Sequence, residues 1–181
     1  MVTTQTVTGC HWSDAVFALL RKYRVDLVSY VPDAGHAKLI DQCRADIATR
    51  VVPLATEEEG VALATGAWLG GTRHAMLMQS SGVGNCVNMF ALLKTCQVPF
   101  LTLVTMRGDF GEFHPWQMPM GQGTHGALGL MDFVVLRADA AMDVAPTAEA
   151  GLKFAFNSYN RVAVLLGQRL LGAKDFRAVR E

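Results

Sequence analysis

Short, almost wholly apolar runs that alternate with helical segments constrain this chain more than any other feature. His74-Ala75-Met76-Leu77-Met78, residues 99–105 and Val162-Ala163-Val164-Leu165-Leu166 show no regular apolar/polar alternation. A strand that is apolar on both sides must be covered on both sides, which is the setting of a parallel sheet between two helical layers. Asp26-Leu27-Val28-Ser29-Tyr30-Val31 and residues 49–54 and 133–136 complete six expected strands. Helical patterns fall between them: residues 14–23 behind Ser13 as N-cap, 35–43, 57–69 ending at Gly70-Gly71, and a helix that Gly82-Val83-Gly84-Asn85 leads into and that runs to about Cys96. Pro146 suits a first helical turn and opens a helix to about Tyr159, whereas residues 106–124 read as a long irregular loop. The expected fold is α/β: a doubly wound, about six-stranded parallel sheet with helices on both faces and right-handed crossovers. With no repeat, linker or low-complexity tract, residues 1–181 are expected to form a single domain.

Composition narrows the function classes. The 181 residues are 51% hydrophobic, enough for a sizeable core, and their formal net charge is zero. A neutral balance without a basic block argues against nucleic acid or an anionic membrane as partner. No apolar run is long enough to cross a bilayer. Residues 1–9 are polar and lack the apolar core of a signal peptide, so a cytoplasmic protein is expected. Cys10, Cys43, Cys86 and Cys96 form no C-x-x-C pair and are expected to be reduced.

In such a sheet, ligands bind beyond the carboxyl ends of the strands. Residues 32–36, 55–59, 79–85 and 106–124 lie there. The second holds three consecutive carboxylates, Glu57, Glu58 and Glu59, ahead of Gly60-Val61-Ala62-Leu63-Ala64-Thr65-Gly66-Ala67-Trp68. Acidic residues in a first turn favour the positive end of the helix dipole. A helix with almost no polar face is buried, however, in a core or against another subunit. Successive residues point about 100° apart, so the three carboxylates cannot share one environment. A carboxyl held away from water can exchange a proton near neutral pH. Gln79-Ser80-Ser81-Gly82-Val83-Gly84-Asn85 allows close backbone approach, or is simply a tight strand-to-helix turn. It fits neither a dinucleotide fingerprint nor a Walker A loop. The long loop holds Arg107, Asp109, Glu112, His114, Gln117, Gln122 and Thr124 beside Trp116. His114 and His125 are isolated histidines. No Gly-x-Ser-x-Gly marks a serine hydrolase, and no H-E-x-x-H or carboxylate-histidine cluster marks a tightly held metal.

These segments together carry a resemblance. Thr56-Glu57-Glu58-Glu59-Gly60-Val61-Ala62-Leu63-Ala64-Thr65-Gly66 resembles the helix of the pyrimidine-binding domain in thiamine diphosphate enzymes, where a glutamate lies nine positions before a glycine. Met78-Gln79-Ser80-Ser81-Gly82-Val83-Gly84-Asn85 is similar to a segment of phosphonopyruvate and sulfopyruvate decarboxylases. So are Val31-Pro32-Asp33, Arg107-Gly108-Asp109-Phe110-Gly111 and Gln117-Met118-Pro119-Met120-Gly121. The motifs run in family order over roughly residues 25–139, and the chain length matches the alpha subunit of two-subunit members.

The resemblance implies that Glu57 is catalytic, hydrogen-bonding the pyrimidine N1′ of thiamine diphosphate and favouring its imino tautomer. A 2-oxo acid would then lose carbon dioxide and leave as an aldehyde. Pro32, Ser81, Gly82 and Asn85 are implied to bind the cofactor with Glu57, and Asp33, His36, His114 and Gln122 to bind substrate. The family binds diphosphate and Mg2+ through Gly-Asp-Gly, which this chain lacks: Arg107-Gly108-Asp109-Phe110 has no second glycine. A partner beta subunit carrying that motif and the Mg2+ is therefore implied, with a hetero-oligomer and a site at the interface. Ala34, Ser80 and Gln122 depart from the pattern, standing where a serine, an asparagine and a basic residue are expected. The last departure leaves open an uncharged 2-oxo acid in place of sulfopyruvate or phosphonopyruvate, with His36 and His125 as alternative donors. A non-catalytic or regulatory subunit that retains the fold is the alternative reading, and a flavodoxin-like binder a more remote one.

Overall fold

The computed structural model describes residues 11–172. Residues 1–9 and Cys10, on which the signal-peptide expectation and one of the reduced cysteines rest, lie outside the described residues.

Six parallel strands form one sheet: β1 (Val25–Tyr30), β2 (Arg50–Pro53), β3 (Arg73–Gln79), β4 (Phe100–Thr105), β5 (Val134–Ala138) and β6 (Arg161–Leu166). Their spatial order is β2-β1-β3-β4-β6-β5. The helices are α1 (Trp12–Lys22), α2 (Ala37–Ala45), α3 (Glu57–Leu69), α4 (Ser80–Cys86), α5 (Phe90–Thr95), α6 (Met118–Leu130), α7 (Ala141–Phe156) and α8 (Gln168–Leu171). The period-2 geometry of a strand divides the sheet between two cores. Ala75, Leu77, Leu103 and Val164 join α1, α2 and α7 through Val16, Leu39 and Leu152. Met76, Met78, Phe100 and Leu165 join α3 to α6 through Val61, Val83, Phe90 and Leu128. Each such buried valine, leucine, methionine or phenylalanine side chain contributes about 1.5–3 kcal/mol relative to exposure. The doubly wound α/β expectation therefore holds, and the unbroken apolar runs have the cause assigned to them. Among the described residues, no helix is long and apolar enough to cross a membrane. Cys43, Cys86 and Cys96 are free thiols.

Several local expectations are corrected. His11, not Ser13, caps α1: its ring accepts from the Ser13 backbone N–H, and the Asp14 carboxylate accepts from His11 N at 2.8 Å. The helix expected after Gly82-Val83-Gly84-Asn85 already starts at Ser80, so that those residues lie within it, and it divides into α4 and α5 around residues 87–89. Pro146 is not a helix start; α7 begins at Ala141 and carries the proline inside it. Pro146 lacks the N–H that would reach the Met142 carbonyl, but both residues lie on the exposed face, where water can take that carbonyl. The largest correction concerns the long loop: its second half is not irregular but forms a 3-10 turn, Pro115–Gln117, and then α6.

Candidate active site

The carboxyl ends of β1, β3 and β4 lie side by side, and the loops beyond them are tied together by side chains. Asp33 Oδ1 accepts from Gln79 Nε2 at 3.0 Å, and Oδ2 accepts from Thr105 Oγ1 at 2.7 Å and from the Gly35 N–H at 3.1 Å. Ser81 Oγ donates to Gln79 Oε1 at 3.1 Å and carries the network to α4. Asp33 thus braces three strand ends with both oxygens engaged. Pro32 is exposed in the same loop.

The three glutamates separate as helix geometry requires. Glu57 is 8% exposed, whereas Glu58 and Glu59 face outward. Glu58 accepts from Thr56 Oγ1 at 3.1 Å and Glu59 from the Ala55 N–H at 2.9 Å, so both serve the start of α3. Glu57 instead reaches across to α4, where Asn85 Nδ2 donates to its Oε2 at 2.9 Å. Gly82 makes this possible, because a Cβ there would lie 2.5 Å from Glu57 Cγ and Oε1. The Cys86 thiol is fully buried and is pushed up to about 12, first by burial and then by the charges of Glu57 and Glu58. It stays neutral beside the carboxylate. Glu57, Gly82 and Asn85 are therefore brought together, with Ser81 on the exposed side of the same turn.

The residues expected to bind substrate are not gathered in this way. His36 is fully buried, its Nε2 at 3.1 Å from Leu103 O, and burial lowers its pKa, so the ring is neutral packing rather than a substrate ligand. Gln122 donates from Nε2 to Gly108 O at 3.0 Å. His114 stacks on Trp116 with ring centroids 4.4 Å apart. A cleft of about 110 Å³ opens beside Asp33, Gly35, Thr105 and Arg107. Of the four expected substrate residues, Asp33 alone lines it.

Sequence reasoning missed what organises the loop after β4. Arg107 Nε and Nη2 donate to the two oxygens of Glu112 at 2.7 and 2.8 Å, and the Glu112 side chain is only 1% exposed. Glu112 also accepts from the N–H groups of Phe113 and His114, each at 3.0 Å, and from Gln168 Nε2 at 2.8 Å. Gln168 Oε1 accepts in turn from the Asp109 and Phe110 N–H groups, at 3.2 and 3.1 Å. Arg137 Nη2 pairs with Asp109 and Asp139. The only signal in the sequence was an acid five residues after an arginine, which is too common to single out.

The two halves of that loop meet at glycines. Gly108 has φ +79, and a Cβ on it would lie 2.1 Å from Gln117 O; one on Gly121 would lie 2.3 Å from Gly108 C. Gly121→Ala is expected to lower stability by about 2 kcal/mol, because backbone rather than a flexible side chain must move. Gly123→Ala, whose Cβ meets nothing within 4 Å among the described residues, is expected to raise helix stability by up to about 1 kcal/mol. Urea midpoints for the two variants check the contrast.

A six-stranded parallel sheet in this order, with helices on both faces and an acid heading α3 turned onto α4, defines a doubly wound α/β chain. Its fold is shared with a 2-oxoglutarate:ferredoxin oxidoreductase from Magnetococcus marinus, solved with 2-oxoglutarate, coenzyme A and succinyl-CoA bound, at a TM-score of 0.72 and 18% identity. That match covers 90% of this chain and 29% of the other. No family model matches the chain. A sulfopyruvate decarboxylase subunit alpha from Methanococcus maripaludis is 32% identical over 155 residues, 85% of this chain and 93% of the relative. The corresponding subunit of Methanothermobacter thermautotrophicus is 37% identical over 121 residues, 66% and 73% of the two chains. A phosphonopyruvate decarboxylase from Streptomyces viridochromogenes is 37% identical over 110 residues, 60% of this chain and 28% of that one. The chain belongs to the family of sulfopyruvate decarboxylase alpha subunits. Both of these relatives are named as alpha subunits.

Proposed function

We propose that this chain is the alpha subunit of a thiamine diphosphate-dependent carboxy-lyase that converts sulfopyruvate, or a closely related 3-substituted pyruvate, to an aldehyde and carbon dioxide. The observation that carries the reading is the environment of Glu57. It is the buried member of the triplet, one oxygen is held by Asn85, and the other has no hydrogen-bond partner among the described residues. That uncommitted oxygen fits a pyrimidine nitrogen. When bound, the cofactor supplies a carbon nucleophile and a sink for the electron pair released with carbon dioxide. The protein's part is proton control and orientation. Glu57 holds or gives a proton at the pyrimidine N1′, Gly82 leaves room for its carboxyl, and the neutral Cys86 thiol adds no competing charge.

The chain is proposed to act as one domain in the cytoplasm and to hold only the pyrimidine end. It has no Gly-Asp-Gly, and no group of three or more His, Cys, Asp and Glu among the described residues is placed to hold a metal. The diphosphate and Mg2+ are assigned to a beta subunit. The outer faces of α3 and α6 support the expectation of a covering partner. Ala62, Gly66 and Leu69, 78% exposed, line one; Gly123, Gly126, Gly129 and Leu130, 82% exposed, line the other. Nothing among the described residues lies within 4 Å of a Cβ on Gly66, Gly123, Gly126 or Gly129, so packing among those residues does not require these glycines. Close approach of a second backbone would.

Co-expression with a chain carrying Gly-Asp-Gly tests the proposal. The two chains are expected to co-purify, and carbon dioxide release from sulfopyruvate should require both of them, thiamine diphosphate and Mg2+. Full turnover by the alpha chain alone would overturn the division of the site. A complex inert toward sulfopyruvate, phosphonopyruvate and apolar 2-oxo acids would favour the regulatory reading.

A further inference from the structure

We infer that Asn85 is a positioning residue for Glu57, fixing one carboxylate oxygen so that the other is the one offered to the cofactor. The inference rests on the proposed function and deepens it at the same site. It replaces the expected direct contact between Asn85 and the cofactor with an action through the acid.

Three observations carry it. First, the bond from Asn85 Nδ2 to Glu57 Oε2, 2.9 Å long, joins two helices across 28 residues of sequence, so it is not a local cap. The capping contacts of α3 belong to Glu58 and Glu59. Second, Gly82 and Asn85 are three residues apart on α4 and therefore share a face. That face presents bare backbone and then an amide to the carboxyl. The Gly82 Cα hydrogen occupies a place where a methyl group would lie 2.5 Å from Oε1. Third, the donor is a neutral amide. An ammonium or guanidinium there would tie Glu57 into an ion pair and hold it ionised. An amide N–H donates to Oε2 both when the carboxyl is ionised and when it is protonated on the other oxygen. Asn85 therefore permits the proton to move while preventing the carboxyl from turning. Any proton Glu57 carries resides on Oε1, the oxygen with no partner among the described residues.

The test uses Asn85→Ala in the assembled alpha–beta complex, with Asn85→Ser as a second, shorter donor. Asn85 is exposed, so neither change is expected to disturb folding. Turnover of sulfopyruvate is expected to fall about 30-fold in Asn85→Ala, in the range set by misplacing one catalytic group. Exchange of the thiazolium C2 proton of bound cofactor in D2O should fall by the same factor. The cofactor dissociation constant, read from tryptophan fluorescence, should change less than about threefold. Asn85→Ser should recover part of the loss. A crystal structure of cofactor-free Asn85→Ala should show the Glu57 carboxyl in more than one orientation. Equal losses in cofactor affinity and turnover would assign Asn85 to cofactor binding and overturn the inference, as would wild-type exchange. Failure of the parent reading is a separate result: there, Glu57→Gln itself would keep its turnover.

Discussion

Glu57→Gln is expected to lower turnover of the assembled enzyme by about 10³-fold, the scale of losing one positioned acid–base group. Its thermal unfolding should stay within about 1 kcal/mol of the parent chain. Glutamine matches glutamate in size, so the space above Gly82 still accommodates it and the first turn of α3 is unchanged. Its carbonyl oxygen still accepts from Asn85. It has no proton to exchange with a ring nitrogen, and that difference isolates the chemistry from the packing. Glu58→Gln and Glu59→Gln provide the control. Those carboxylates face solvent and, among the described residues, bond only at the start of their own helix, so their loss should leave turnover within about twofold and cost a few tenths of a kcal/mol. Steady-state carbon dioxide release and calorimetry on the three variants decide the matter. Near-normal turnover in Glu57→Gln would remove the acid from the mechanism.

Glu112→Ala is expected to cost about 3–5 kcal/mol, the scale for removing one partner of a buried ion pair. The change takes the carboxylate partner from the Arg107 guanidinium and removes an acceptor of the Phe113 and His114 N–H groups and of the Gln168 amide. Its pH signature has a definite sign. Arg107 first, then the donors around it, hold the Glu112 carboxyl well below the usual carboxylate range. Protonation is thus harder in the folded chain than in the unfolded one. The stabilisation is complete above the unfolded value, 4.5, and is lost as pH falls from there toward the depressed folded value. Urea midpoints between about pH 6 and pH 3 should therefore fall less steeply in Glu112→Ala than in the parent chain. Parallel slopes would show that Glu112 is not the linked group.

Much of the fold was legible because its strands are buried on both faces, which leaves unbroken runs such as His74 to Met78. That one carboxylate of the triplet is buried apart from the others was legible for a related reason, although only the family resemblance, nine positions before Gly66, singled out Glu57. A triplet of carboxylates cannot share one environment on a helix, and the residues after it left little polar face. Helix α6 was not legible. It has glycine at 121, 123, 126 and 129 and proline at 119, a composition that reads as loop by propensity. What makes it helical is tertiary: Gly121 seats on Gly108, and Thr124 bonds to Ser80 O at 3.4 Å. Pro146 misled in the opposite sense, because a good first-turn residue was tolerated inside α7 on its wet face. His36 misled because a histidine near strand ends looks the same in sequence whether its ring faces the cleft or the core. The Asp33, Glu112 and Gln168 networks depend on partners up to 72 residues away, and no spacing rule reaches that far.

The strand order also sets a schedule for synthesis. β6 lies between β4 and β5, so β5 leaves the ribosome with no neighbour in the sheet and β4 keeps an open edge until the sixth strand arrives. Gln168, just past β6, then closes the loop that began sixty residues earlier at Gly108. A nascent chain halted before residue 161 would carry Glu57 and Asn85 yet expose an apolar edge at β4. Such an edge is open to wrong pairing during translation. The speed at which the last strand inserts, rather than the formation of the acid site, is then what the cell must protect.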